Sequence, residues 1–162
     1  MRLREMTLDD IAEMVRIRST PEVRARWTSA DVEADVRDAV MDDELQYLAI
    51  EDEDESIIGG IQWAAELDPD YRHASVDIYL DPAVHGRGLC ADSVRTLARH
   101  LFDDVGHHRL TIDPAADNHA AIGCYTKVGF RPVGVMHQYE RGADGSWHDG
   151  LLMELLADEF TG

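Results

Sequence analysis

Between residues 73 and 102 the chain passes from an alternating stretch through a short glycine-bearing segment into a helical pattern. Val76, Ile78 and Leu80 alternate with Ser75, Asp77 and Tyr79; Asp81-Pro82 follows, then His85-Gly-Arg-Gly-Leu-Cys90. Beyond it Val94, Leu97, Ala98, Leu101 and Phe102 recur at helical spacing. A strand, a glycine loop and a helix N-terminus in that order can hold an anion, because free backbone N–H groups and the positive end of the helix dipole converge there. Gly86 and Gly88 would let a diphosphate approach the main chain where a Cβ would block it. An ordinary tight turn is the competing reading. No GxxxxGK[ST] is present, and the GxGxxG spacing fails because Gly88 is followed by Leu89, Cys90 and Ala91. The eight histidines form no HExxH or Cys/His cluster, and adjacent His107 and His108 point apart in a strand, so no metal site is expected.

The elements that would position this loop can be read in order. A strand near Arg2 to Glu5 leads to Thr7, an N-cap for a helix carrying Leu8, Ile11, Met14 and Val15. Ser29 and Asp31 start a second helix with Val32, Val36 and Val40 on one stripe, ending near Met41. Strands are expected at Leu45 to Glu51, Ser56 to Glu66 and His73 to Leu80, with the acidic run Glu51 to Glu55 as a solvated hairpin turn. After the loop and its helix comes a strand at Arg109 to Ile112. Asn118 caps a helix to about Lys127, Gly129 suits its C-terminal left-handed position, and strands close the chain around Phe130 to Glu140 and Leu151 to Leu156. The order β-α-α-β-β-β-α-β-α-β-β is a mixed α/β layout.

Composition narrows the partners. The 162 residues, 44% hydrophobic, suit a single domain over 1–162, with no internal repeat or linker. No apolar run approaches a membrane span, and the first residues lack a secretory core, so a soluble, cytoplasmic protein is expected. A formal net charge of −18 disfavours nucleic acid and anionic membranes and favours cationic ligands. The excess also fits a GC-rich or salt-adapted genome, since Lys127 is the only lysine. Cys90 and Cys124 could form at most one bridge, which is no disulfide framework.

Asp77-Ile-Tyr-Leu-Asp-Pro-Ala-Val-His-Gly-Arg-Gly-Leu-Cys90 resembles the acetyl-CoA loop of the GNAT superfamily, R/Q-x-x-G-x-G/A. Asn118-His-Ala-Ala-Ile-Gly-Cys-Tyr-Thr-Lys-Val-Gly-Phe130 is similar to the second signature of that family. The resemblance covers roughly Leu3 to Leu155, departing at His85, where Arg or Gln is usual, and at Cys90, where Gly or Ala is usual. It implies an α/β (α+β) GNAT fold: a mixed, mostly antiparallel sheet of six to seven strands, flanked by about four helices. A central splay would part the strands at 73–80 and 109–113. It further implies acetyl-CoA as donor and CoA as product. The cofactor would be held by the backbone of Ile78, Tyr79 and Leu80, by the loop His85, Gly86, Arg87, Gly88, Leu89, Cys90 and Ala91, and by Asn118 and Ala121.

Acetyl transfer to an amine needs a neutral nucleophile and a proton for the departing thiolate. By the resemblance Tyr125 is the general acid; a tyrosine titrating near 10 keeps its proton at neutral pH. A core aromatic on an amphipathic helix is the alternative. Asp77 and Asp113 stand where carboxylates can hold an ammonium and remove its proton, against the plainer readings of a solvated strand residue and an Asx turn before Pro114. The stretch Leu110 to Phe130 is particularly similar to aminoglycoside 6′-N-acetyltransferases. That likeness implies a cationic small-molecule amine bound by Asp77 and Asp113 in a cleft lined by Trp27 and Glu66. Another small amine or a protein N-terminus stays open, as does a non-catalytic acyl-CoA-binding regulatory module. Trp63 is expected in the core and Trp147 as a turn anchor or lid. Monomer and homodimer are both compatible.

Overall fold

A computed structural model describes all 162 residues. Seven strands form one sheet in the order β1-β2-β3-β4-β5-β7-β6: β1 (Arg2–Glu5), β2 (Leu45–Glu51), β3 (Ile57–Glu66), β4 (His73–Leu80), β5 (Arg109–Ile112), β6 (Arg131–Arg141) and β7 (Trp147–Leu156). All neighbours are antiparallel except β4 and β5. Five helices accompany them: α1 (Ile11–Arg18), α2 (Pro21–Arg24), α3 (Val32–Met41), α4 (Leu89–Asp103) and α5 (His119–Val128). The one-turn helix α2 is additional to the four expected. It is too short for a periodic pattern to show, though Pro21 at its first position favours it.

The two faces of the sheet carry separate cores, which follows from the period-two alternation of side chains. Val94, Leu97, Ala98 and Leu101 of α4, with Tyr125 and Val128 of α5, pack on Ile61, Val76, Leu110 and Met153. On the other face Met14 and Ile17 of α1 and Val36 of α3 pack on Tyr47, Ala49 and Tyr79. Ala49 and Ile50 are adjacent and both fully buried, one in each core. Each such Ile or Leu contributes about 1.5–3 kcal/mol on leaving water.

Thr7 is the N-cap of the first turn, as expected, in a capping box with Asp10, whose carboxylate accepts from both the hydroxyl and the N–H of Thr7 (3.0 and 2.8 Å). Two local expectations change. Glu51 is not part of a solvated turn. It is buried under β1, where Arg2 and Arg4 donate to it, and those charges hold its carboxyl below the usual range. The tip itself is a turn in which the Asp52 carboxylate accepts from the N–H groups of Asp54 and Ser56. β7 begins at Trp147, four residues before the apolar run at Leu151, because pairing of Trp147 with Arg141 and of His148 with Glu140 extends the hairpin.

The parallel pair β4–β5 is joined only at Ala74 with Leu110 and Ser75 with Thr111. Beyond these the strands part, as expected, and the edge of β4 from Val76 to Leu80 that faces β5 carries no strand partner. No helix is long and apolar enough to cross a membrane.

Candidate active site

A cleft of about 580 Å³ opens where β4 and β5 separate. One wall is Ile78, Tyr79 and Leu80. The next is the loop and first turn of α4, with His85, Gly86, Gly88, Leu89, Cys90 and Ala91, and the third is α5, with Asn118, Ala121, Cys124 and Tyr125. Of the residues expected to hold a cofactor, only Arg87 is missing from the wall, its side chain being exposed.

Local sequence explains the loop. Asp81 caps the single turn Pro82–Val84 by accepting from the Ala83 N–H at 2.9 Å, and Arg16 of α1 pairs with the same carboxylate. Gly86 and Gly88 have φ of +77° and +84°, a left-handed conformation that disfavours any Cβ. A Cβ at either would meet nothing within 4 Å, so the protein itself does not demand the space. The glycines therefore serve conformation. Gly88 is the N-cap of α4 and offers no side-chain cap, which leaves the first-turn N–H groups without a side-chain acceptor. His85 Nε2 lies 3.2 Å from the Leu80 carbonyl and fastens the loop to the end of β4.

Asn118 caps α5, its Oδ1 accepting from the Ala121 N–H at 3.2 Å, so its amide N–H groups are what it can present to the cleft. Gly129 closes α5, donating to the carbonyls of Tyr125 and Thr126. Tyr125 is 6% exposed, tilted against Phe130. Burial first, then the charges of Asp77 and Asp113, raise its hydroxyl well above the usual value. The phenol remains protonated across the whole physiological range.

Asp77 and Asp113 are close enough for their charges to act on one another and on Tyr125, and they lie outside the wall of this cleft. Asp77 reaches solvent along one side yet is crowded by protein on the others, so it is accessible but poorly hydrated. That desolvation, followed by the charge of Asp113, pushes its carboxyl up to about 6; Gln62, directly across the β3–β4 pair, works against the rise, and Glu140 adds to it. Asp113 follows β5, and its backbone is anchored where the Leu151 N–H donates to the Pro114 carbonyl at 2.9 Å. Its carboxylate accepts from the Tyr139 hydroxyl. Tyr139 is a member of the site that the sequence did not reveal. It lies in a bulged part of β6, where Gln138 has φ +51° and the register with β7 shifts between Met136 and Glu140. Asp149 of β7 pins the bulge, accepting from the Gln138 N–H at 2.9 Å and facing His137 Nδ1 at 3.0 Å. Only a break in the alternation of β6 could have signalled it, and the exposed strand offers no apolar period to break.

Trp27 lines this cleft, which does not include Asp77 or Asp113. It stands edge-on to Tyr79 with ring centroids 4.9 Å apart, and the buried Arg18 guanidinium lies 5.1 Å from its ring centre. Glu22 and Arg26, not foreseen, share that rim, and Arg26 pairs with Asp117 at 2.6 Å, joining α2 to the approach of α5. Glu66 is a correction. Antiparallel pairing sets it opposite His73, at the end of β4 farthest from Leu80, where it lines a separate depression of about 480 Å³ with Glu44, Gln46 and Trp63. Trp63 is only partly buried, packed against the main core and edge-on to His107, while Trp147 is exposed at the start of β7.

Comparison with known proteins bears directly on this arrangement. Residues 1–131 match the model of the acetyltransferase (GNAT) domain. A mycothiol acetyltransferase of Mycobacterium sp. (strain MCS) is 29% identical over 143 residues, covering 83% of this chain and 47% of that protein. The chain thus spans about half the length of these relatives. A kanamycin resistance protein of Rhizobium radiobacter is 37% identical over 78 residues, covering 48% of this chain and 70% of that protein. Among solved structures, the spermidine N-acetyltransferase of Vibrio cholerae, in complex with CoA and spermine, superposes with a TM-score of 0.85 at 18% identity, covering 99% of this chain and 98% of that one. A splayed mixed sheet, a left-handed glycine loop opening a helix at the splay, and a family match over most of the length agree: the chain belongs to the GNAT acetyltransferase family.

Proposed function

We propose that this chain transfers an acetyl group from acetyl-CoA to a primary amine of a cationic small molecule, foremost the 6′-amine of an aminoglycoside. The carrying observation is the sequence of groups along the splay: an anion cradle at Gly86 to Ala91, a buried protonated phenol at Tyr125, and the carboxylate pair Asp77 and Asp113 beyond it. The residues fit the cofactor. First-turn N–H groups of α4 suit a diphosphate, and the unpartnered edge of β4 at Ile78 to Leu80 suits an amide-bearing arm. When bound, the thioester supplies an activated acetyl carbon and a thiolate leaving group.

The residues of the chain then divide the proton work. An amine arrives as an ammonium, attracted by the acidic pair and by the strongly negative chain as a whole. Asp77, titrating near 6, is ionised at neutral pH and basic enough to take the ammonium proton. Asp113, steadied by Tyr139, holds charge beside it. Tyr125 keeps a proton at its hydroxyl for the leaving sulfur. No covalent adduct with the chain is needed.

Support for the acceptor class comes from the relatives, among them an aminoglycoside N(6′)-acetyltransferase type 1 of Klebsiella pneumoniae, 37% identical over 75 residues covering 46% of this chain and 36% of that protein. The test is acetyl-CoA turnover on a panel of kanamycin, tobramycin, spermidine and an N-terminal peptide, with the acetylated position assigned. Turnover on the aminoglycosides at the 6′-amine is expected, falling about 10²-fold or more in Tyr125→Phe. Reaction confined to polyamines or peptides would overturn the acceptor class, and CoA binding without turnover on any amine would favour a regulatory module.

A further inference from the structure

The only two cysteines of the chain, 34 residues apart, meet at the cleft. Cys90 is in the first turn of α4, one residue from Ala91 in the cradle; Cys124 is on α5, next to Tyr125, and the structure joins them in a disulfide with Cα atoms 6.5 Å apart. Both are partly buried and both line the cleft. This placement differs from that of a bridge sealed in a core: a small molecule entering the cleft can reach the sulfurs. The bridge also does not plug the cleft, which keeps its volume of about 580 Å³ with the two helices tied. What it fixes is the spacing between the helix that presents the cradle and the helix that presents the phenol.

We propose that Cys90 and Cys124 form a thiol–disulfide exchange site, taking low-molecular-weight disulfides and thiols as co-reactants, whose closure clamps the cofactor cleft in its binding form. In the closing direction the Cys90 thiolate attacks one sulfur of a small disulfide, breaking its S–S bond, forming a mixed disulfide and releasing one small thiol. The Cys124 thiolate then attacks the Cys90 sulfur, forming the Cys90–Cys124 bond and releasing the second. Two cysteine thiols are oxidised, one small disulfide is reduced to two thiols, and the two protons pass to the departing thiolates. The first-turn position of Cys90 suits the attacking role, because the positive end of a helix stabilises a thiolate. Closing holds α4 and α5 in the spacing that the bound cofactor needs, so the ordering is complete before binding. Opening lets the two walls separate.

The inference rests on the cofactor reading above, and the experiment separates the two. Full-length protein is reduced with a phosphine, freed of reductant, and divided; one half is reoxidised with oxidised glutathione. Thiols are counted by intact mass and titration, and acetyl-CoA binding is measured by calorimetry. Acetyl-CoA is used because free CoA carries a thiol that would attack the bridge. Expected are two thiols in one half and none in the other, with acetyl-CoA bound about three- to tenfold more tightly by the oxidised half. Cys124→Ala should trap a single glutathione on Cys90 and lose the difference between redox states. Failure of the bridge to re-form, or equal affinity in the two halves, overturns the clamp while leaving the cofactor reading intact. Absence of acetyl-CoA binding in both halves overturns both.

Discussion

Lowering the pH from 7 to 5 should reduce kcat/KM for the amine about tenfold through Asp77 alone. A carboxyl titrating near 6 is roughly nine-tenths ionised at pH 7 and one-tenth at pH 5, whereas one at its free value of 3.8 would lose less than about a tenth of its ionised form over that range. The diagnostic perturbation is Asp113→Asn. Desolvation is the larger cause of the high value and the Asp113 charge the second, so removing that charge should move the acid limb toward lower pH by less than about one unit. Initial rates at saturating acetyl-CoA, followed by thiol release, give the limb for each protein, and the ionisation of the amine cancels between them. Stability supplies a second readout with its own sign. The folded value of Asp77 lies above the free value, so the destabilisation is absent below pH 3.8, accrues up to about 6 and is complete above it. Asp77→Asn should therefore raise Tm at pH 7.5 while removing the limb and most of the rate. A wild-type limb below pH 4.5, or one unmoved in Asp113→Asn, would refute the coupled pair.

Three further outcomes are expected. Tyr139→Phe removes the donor to Asp113 on a half-exposed side chain where water can replace it, so KM for the amine should rise by no more than about tenfold with kcat nearly kept; a large loss of kcat would give Tyr139 a chemical role instead. Gly59→Ala would drive a Cβ into the Tyr79 carbonyl oxygen, and because that neighbour is backbone in the adjacent strand, the cost should exceed about 2 kcal/mol in a urea melt. Reducing the Cys90–Cys124 bridge reopens a segment of 34 residues in the unfolded chain, worth about 3–4 kcal/mol on the chain-entropy account, so Tm should fall by roughly 10 °C in calorimetry.

What sequence reasoning reached and missed has a physical pattern. The loop at His85 to Ala91, the Asn118 cap and the Gly129 stop were legible because each depends on backbone conformation set by one or two neighbouring residues. The alternation of β4 placed Val76 and Leu80 in one core and correctly turned Asp77 the other way. Tertiary placement escaped it. Glu51 reads as the first residue of an acidic turn, and only the pairing of β1 with β2 brings Arg2 and Arg4 over it. Glu66 lies near Gln62 in sequence, but the direction of β3 carries it away from the splay. Tyr139 depends on a bulge whose cause, Asp149, is ten residues downstream. The meeting of Cys90 and Cys124 depends on how α4 and α5 pack, which neither helix encodes by itself.

With only two paired rungs between β4 and β5, the sheet is in effect two leaves, β1 to β4 and β5 to β7, hinged on Ala74 and Ser75. A seam of this kind gives the fold a weak line through its middle, and the reaction proposed above would be sited on it. A donor molecule laid along β4 would supply the missing rungs and act as a structural member, so that each cycle of the proposed reaction would also unlace and relace the sheet.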